Sequence, residues 1–127
     1  MYRVPDNLLY SKEHEWVELI NDIAVVGITD YAQKELGDIV FVEMPNIGQK
    51  VEFSKVCGSI ESVKSVSDIY SPVNGEVFEV NTKLIDKPEL LNEDPYVNYI
   101  FKVRITDFSF KDNLLDANQY RQHIGMN

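Results

Sequence analysis

Apolar and polar residues alternate in twos along most of this chain, the spacing that places every second side chain on one face of a strand. Residues 16–20 and 23–28 alternate on either side of Asn21-Asp22, which predicts a hairpin with a short connection. Residues 39–44 form an apolar, β-branched run stopped by Pro45 and the Asn46-Ile47-Gly48 loop. Further strands are predicted at 51–53, 56–60 and 66–70. After a turn at 71–75 come strands at 76–80 and 99–105, the last carrying Tyr99, Phe101, Val103 and Ile105 on one face. Gly48 and Gly75 each lead into a strand on either side of the 56–70 hairpin, an arrangement that suggests two similar halves. Helical signals are short. Asp30 and Gln33 have capping-box spacing, Gly37 stands where a helix would stop, and Tyr31, Ala32 and Leu36 form the apolar side. Pro88 opens a turn through Leu91, and Asp116, Gln119 and Gly125 frame a helix over 116–124. The pattern predicts a mainly β protein, a flattened barrel or sandwich of two antiparallel sheets with short helices, one at the C-terminus. With no linker or low-complexity tract, residues 1–127 read as a single domain.

Charge narrows the partners. Twelve basic against 21 acidic residues give a net charge of −9, without the basic face that a phosphate backbone or an anionic membrane requires. No apolar run is long enough to span a membrane, and the first residues have neither a secretory nor a transit pattern, so a cytoplasmic location is expected. Cys57 is the only cysteine, which excludes an internal disulfide and any Cys-x-x-Cys motif, and it is expected to be a buried apolar filler. Phosphate-binding glycine loops and a Gly-x-Ser-x-Gly elbow are missing. His14 and His123 lie at opposite ends of the sequence, and no metal site is expected. No self-sufficient active site is legible in these motifs.

One segment carries chemistry. Two strand-like runs meet near Val63-Lys64-Ser65, which places Lys64 at a hairpin tip. A lysine presented there between small serines is open to another enzyme, and an amide at its nitrogen lengthens an already flexible stem.

Residues 61–64 (Glu-Ser-Val-Lys), followed by 67–77 (Ser-Asp-Ile-Tyr-Ser-Pro-Val-Asn-Gly-Glu-Val), resemble the lipoylation signature of the glycine cleavage system H protein family. His14-Glu15-Trp16-Val17 resembles that family's N-terminal strand. Residues 27–33 and 36–45 match it in order, as do Asn92-Glu93-Asp94-Pro95-Tyr96 and Leu115-Asp116-Ala117. The resemblance implies a lipoyl-domain-like hybrid fold in a single lipoyl-carrier domain, with lipoate covalently bound to Lys64. It implies a carrier that shuttles the aminomethyl group of glycine from a pyridoxal-phosphate-dependent glycine decarboxylase to a tetrahydrofolate-dependent aminomethyltransferase. Reoxidation falls to a dihydrolipoamide dehydrogenase, and a lipoate-attaching enzyme loads the lysine. An alternative within the same resemblance is an H-like lipoyl protein that relays lipoate to other lipoate-dependent complexes.

The resemblance also implies roles around Lys64. Glu15 and Asp68 match positions near the docked arm, where carboxylates hold an ammonium by charge-assisted hydrogen bonds. Val63 is expected to anchor the hairpin, Ser62 and Ser65 to keep it accessible, and Glu61 to mark it for the attaching enzyme. His14 is expected to bond locally, Trp16, Tyr31 and Leu36 to sit in the core, and Gly37, Gly48 and Gly75 to occupy turns at positive φ. The chain departs from the family at Val97-Asn98-Tyr99, where a Gly-x-Gly-Trp stretch is usual and Tyr99 stands in the tryptophan's place.

Overall fold

The strands are β1 (Leu9–Tyr10), β2 (Glu15–Ile20), β3 (Ile23–Ile28), β4 (Ile39–Glu43), β5 (Lys50–Val51), β6 (Val56–Ser62), β7 (Val66–Tyr70), β8 (Asn74–Val80) and β9 (Phe101–Asp107). Most lie where the alternation places them, but β1 has no expected counterpart and β9 begins two residues later than expected, leaving Tyr99 outside it. The computed structural model describes residues 1–126. All pairings are antiparallel and build two sheets, one of six strands in the order β1-β2-β3-β9-β8-β5 and one of three in the order β4-β6-β7. Ala24, Val26, Phe101 and Val103 pair across β3 and β9 with their side chains buried. They form one core with Ile39, Val42, Ile60 and Ile69 of the smaller sheet. Apart from Ala24, each such side chain contributes about 1.5–3 kcal/mol by leaving water, so register is set by which face is apolar. A second cluster, Val4, Leu8, Tyr10, Trp16, Ala117 and Tyr120, seats the C-terminal helix, with the rings of Tyr10 and Tyr120 stacked 4.6 Å apart.

The helices are α1 (Asp30–Leu36), α2 (Lys83–Asp86), α3 (Leu90–Glu93) and α4 (Ala117–His123), with a 3-10 turn at Ser109–Asn113. The capping box predicted for α4 is present on Asp116 and Gln119. In α1 the cap lies one residue earlier than expected, on Thr29, whose hydroxyl accepts from the Ala32 amide. Asp30 instead accepts from the Gln33 side chain and the Arg3 amide, and the buried face of α1 is Asp30, Gln33 and Leu36. Tyr31 is half-buried beside Tyr2 and His14 and is not core. The strand expected at 51–53 shrinks to Lys50–Val51. Its segment and the one after Gly75 are cross-strand partners, Lys50 opposite Glu76 and Val51 opposite Gly75. Gly75 is a strand residue without positive φ, needed because a Cβ there would stand 2.1 Å from the Arg104 carbonyl oxygen. Gly37 and Gly48 do adopt positive φ, at 78° and 90°.

Candidate functional site

The β6–β7 hairpin is built around its turn. Ser62 N–H donates to the Ser65 carbonyl at 2.8 Å, and the Ser62 hydroxyl accepts from the amides of Lys64 (3.3 Å) and Ser65 (3.1 Å). These bonds satisfy the turn's backbone donors as a serine-capped turn does. Ser62 is therefore buried and closes the turn; it does not merely leave room beside it. Lys64 projects from the tip, exposed. Val63 does not anchor the hairpin by its side chain, which is 71% exposed; its backbone N–H does so, donating to the Asp38 carbonyl at 2.9 Å.

The outer face of the three-stranded sheet leads away from the tip in two cross-strand rows. Phe41, Glu61 and Val66 form the nearer row, and Glu43, Ser59 and Asp68 the next. Phe41 and Val66 remain exposed among the three acids. Asp68 opens onto a shallow groove with Glu43, Met44 and Val56.

Glu15 lies elsewhere. It is 2% exposed at the start of β2, at the base of the hairpin, where it accepts from the Ser11 hydroxyl at 2.5 Å and from the Tyr70 amide at 3.2 Å. The tight turn through His14, at φ 74°, folds Ser11 back onto Glu15, and the Glu15 amide donates to Ser11 Oγ at 3.0 Å. The carboxyl borders a cleft of about 320 Å³ lined by Ser11, Phe53, Ser54, Tyr70, Leu114 and Gln119 among others. Burial raises its pKa to about 8, against the opposing pull of the Ser11 and Tyr70 hydrogen bonds, so the group is mainly neutral at pH 7. Glu15 is thus not a surface acid, and it lines a different cleft from Asp68. Burial, with the nearby Glu15 charge second, also pushes the Cys57 thiol up to about 12, so the filler reading of Cys57 holds.

Some expectations change. His14 bonds locally only through its backbone, whose N–H donates to the Ser11 carbonyl at 3.2 Å; its side-chain Nδ1 meets the Tyr120 hydroxyl at 2.8 Å and ties the start of β2 to α4. Trp16 is core, and its Nε1 donates to the Pro95 carbonyl at 3.0 Å. At the departure from the family pattern, no residue of 97–99 has positive φ. Asn98 bonds the Leu90 and Asp94 carbonyls, and Tyr99 bonds Glu79, beside which Lys102 forms an ion pair. Ser11 and the Tyr70 amide escaped sequence reasoning, because nothing in either residue's neighbours along the chain marks it as a partner of Glu15. Among the described residues no cluster of three or more His, Cys, Asp or Glu is arranged to hold a metal, and no helix is long and apolar enough to cross a membrane.

Comparison with known proteins gives a consistent answer. The family model described as "Glycine cleavage H-protein" matches residues 8–126. The chain is 53% identical to the glycine cleavage system H protein of Staphylococcus carnosus over 123 residues, covering 96% of this chain and 98% of that one. It is 52% identical to that of Coprothermobacter proteolyticus over 125 residues, covering 97% and 98%. Its structure is similar to the crystal structure of a glycine cleavage system H protein from Mycobacterium marinum, with a TM-score of 0.90 and 35% identity, covering 97% of this chain and 100% of that one.

Proposed function

The chain belongs to the glycine cleavage H-protein family, and from that membership we propose how it acts as the lipoyl carrier of the glycine cleavage system, with lipoate in amide linkage to Lys64. It is a carrier subunit and not an enzyme, and it works with the other components of that system. The observation that carries the assignment of Lys64 is its place at an exposed hairpin tip whose turn is closed by Ser62 and held to the body of the protein by the Asp38 carbonyl. The lysine amine attacks an activated lipoyl carbonyl, the new C–N bond forms as the activating group leaves, and one positive charge is lost. When bound, the lipoyl group supplies a dithiol–disulfide pair that carries a one-carbon amine and two electrons.

The carrier visits, in turn, a pyridoxal-phosphate glycine decarboxylase, a tetrahydrofolate-dependent aminomethyltransferase and a flavin dihydrolipoamide dehydrogenase, after a lipoate-attaching enzyme has loaded it. Tethering makes each visit a high effective-concentration event without tight binding. The outer face bearing Phe41, Glu61, Val66 and Asp68 flanks the tip and meets these enzymes.

The Glu15 cleft fits the loaded arm: Phe53 and Leu114 offer apolar walls, and the buried carboxyl is the group an ammonium would seek. A cation arriving beside Glu15 favours its charged form. The carboxyl then yields its proton to water and holds the ammonium by charge-assisted bonds, with Ser11 and the Tyr70 amide keeping it oriented. Shelter there limits loss of the amine to water. Residues 1–127 act as one carrier domain, and a reducing cytoplasm suits the single buried thiol of Cys57.

The test is intact-mass analysis with peptide mapping of the protein from cells that lipoylate, beside Lys64→Ala. The expected result is a lipoyl adduct on Lys64 that vanishes in the variant. An unmodified Lys64 in lipoylating cells overturns the assignment.

A further inference from the structure

The hairpin tip is not held by the hairpin alone. Its one backbone bond to the rest of the protein at Val63 ends on the carbonyl of Asp38, in the connection between α1 and β4. On the same connection lies Gly37, where a Cβ would stand 3.5 Å from Cε of Lys64, so the lysine stem passes alongside a bare α-carbon. Gly37 and Ile39, the residues flanking Asp38, are both fixed by one side chain from another element. Asn92 of α3 donates its amide to the Gly37 carbonyl at 2.8 Å and to Gln33 Oε1 at 3.0 Å, and its Oδ1 accepts from the Ile39 amide at 2.9 Å. A side-chain amide that spends one donor and its acceptor on this connection, and its other donor on the helix that leads into it, leaves the connection one geometry.

We propose that Asn92 is the positioning residue for the acceptor lysine: it fixes the 37–39 connection, which sets the Asp38 carbonyl, which holds Val63 and so presents Lys64 in one arrangement to the lipoate-attaching enzyme. The inference rests on Lys64 being the attachment point. Loss of the clamp leaves a hairpin that folds but holds its tip in the receivable arrangement only part of the time. A reduced competent population appears as a higher KM for the carrier at unchanged kcat.

The experiment follows lipoate attachment to the unloaded full-length chain by intact mass, using a lipoate-attaching enzyme, lipoate and ATP, well below the unfolding temperature. Wild type, Asn92→Ala, Asn92→Asp and Tyr120→Phe are compared. Tyr120→Phe removes two hydrogen bonds at α4 and serves as a destabilised control remote from the tip. In Asn92→Ala, KM is expected to rise about tenfold with kcat within about twofold, and hydrogen exchange at the Val63 amide to quicken by a similar factor. Asn92→Asp, which keeps the acceptor for Ile39 but sets a carboxylate oxygen against the Gly37 carbonyl, raises KM at least as far as Asn92→Ala, and Tyr120→Phe matches wild type in both readouts. A folded Asn92→Ala with wild-type KM overturns the proposal while leaving Lys64 as the attachment point. So does a KM rise equalled by Tyr120→Phe, which would reduce Asn92 to a general stabiliser. A wild-type chain that takes no lipoate on Lys64 overturns both readings.

Discussion

Replacing Glu15 with glutamine separates the charge of this side chain from its shape. In the folded protein burial lifts the carboxyl to about pH 8, while an ordinary glutamate loses its proton near 4.5. Between those two values the folded state binds a proton that the unfolded state has released, so stability must fall as pH rises. The stabilisation from this proton is fully present below about 4.5 and gone once the pH has passed about 8. The slope for one proton is about 1.4 kcal/mol per pH unit, which amounts to roughly 3 kcal/mol between pH 5.5 and 7.5. Glutamine approximates the neutral form in shape: its oxygen accepts from the Tyr70 amide as the carboxyl does, while its amide meets Ser11 Oγ as a donor, the reverse of the bond the carboxyl accepts from that hydroxyl. Urea unfolding of both proteins at pH 5.5, 6.5 and 7.5 measures the difference directly. All other groups are common to both chains, and their contribution cancels to first order. Glu15→Gln is expected to gain about 3 kcal/mol on wild type across that window, with most of the change in the wild-type curve. Parallel stability curves would refute the reasoning, since they would mean that the carboxyl is already ionised and solvated in the folded protein.

Other parts of the structure make separate claims. Gly75→Ala puts a Cβ 2.1 Å from the Arg104 carbonyl and 2.6 Å from Val103 Cγ1, both on the neighbouring strand, and should cost about 3 kcal/mol in urea unfolding; a change below about 1 kcal/mol would deny the close approach. Ser62→Ala removes the acceptor shared by the Lys64 and Ser65 amides and should cost about 1–2 kcal/mol and speed exchange at those two positions. Cys57, with its thiol held up to about 12, should ignore an aromatic disulfide reagent at pH 7.5 in the native protein and consume one equivalent once unfolded in urea; rapid native reaction would contradict its burial. With a net charge of −9, association with partner enzymes should change steeply with salt between low and physiological ionic strength, and salt-independent transfer rates would count against electrostatic steering.

What could be read from the sequence was whatever has a local cause. The 23–28 strand announces itself because a short apolar run rich in β-branched residues follows directly on the Asn21-Asp22 turn, and α4 because Asp116 and Gln119 close their box within four residues. Lys64 at its tip was legible for the same reason, since the two runs that flank it end at the same turn. The burial of Glu15 was not, because it depends on the Tyr70 amide 55 residues away and on a left-handed turn at His14. Asn92 looks like an ordinary loop polar residue, since its three partners lie 53 to 59 positions upstream. The four-residue α2 has no side-chain bond from its N-cap Thr82 to give it away; its first amide is taken by Asn81 Oδ1 at 3.3 Å, and Leu84 is its buried residue. Tyr31 misled in the opposite sense: helical spacing put it on the apolar side, but the face of α1 that turns inward is the one whose polar groups are mutually satisfied.

The six-stranded sheet ends at both margins in strands only two residues long, β1 and β5, and β1 spends its outer side on a bridge from Tyr10 to Leu115. A long free margin is a zipper waiting for another chain, and a protein that must touch several large enzymes and leave each of them quickly would be poorly served by one. On this sheet the margins are too short to zip, so the five-residue edges β4 and β7 of the smaller sheet are the ones left open to another chain. A collision along the larger sheet therefore comes apart, and any lasting contact between strands has to be made beside the hairpin.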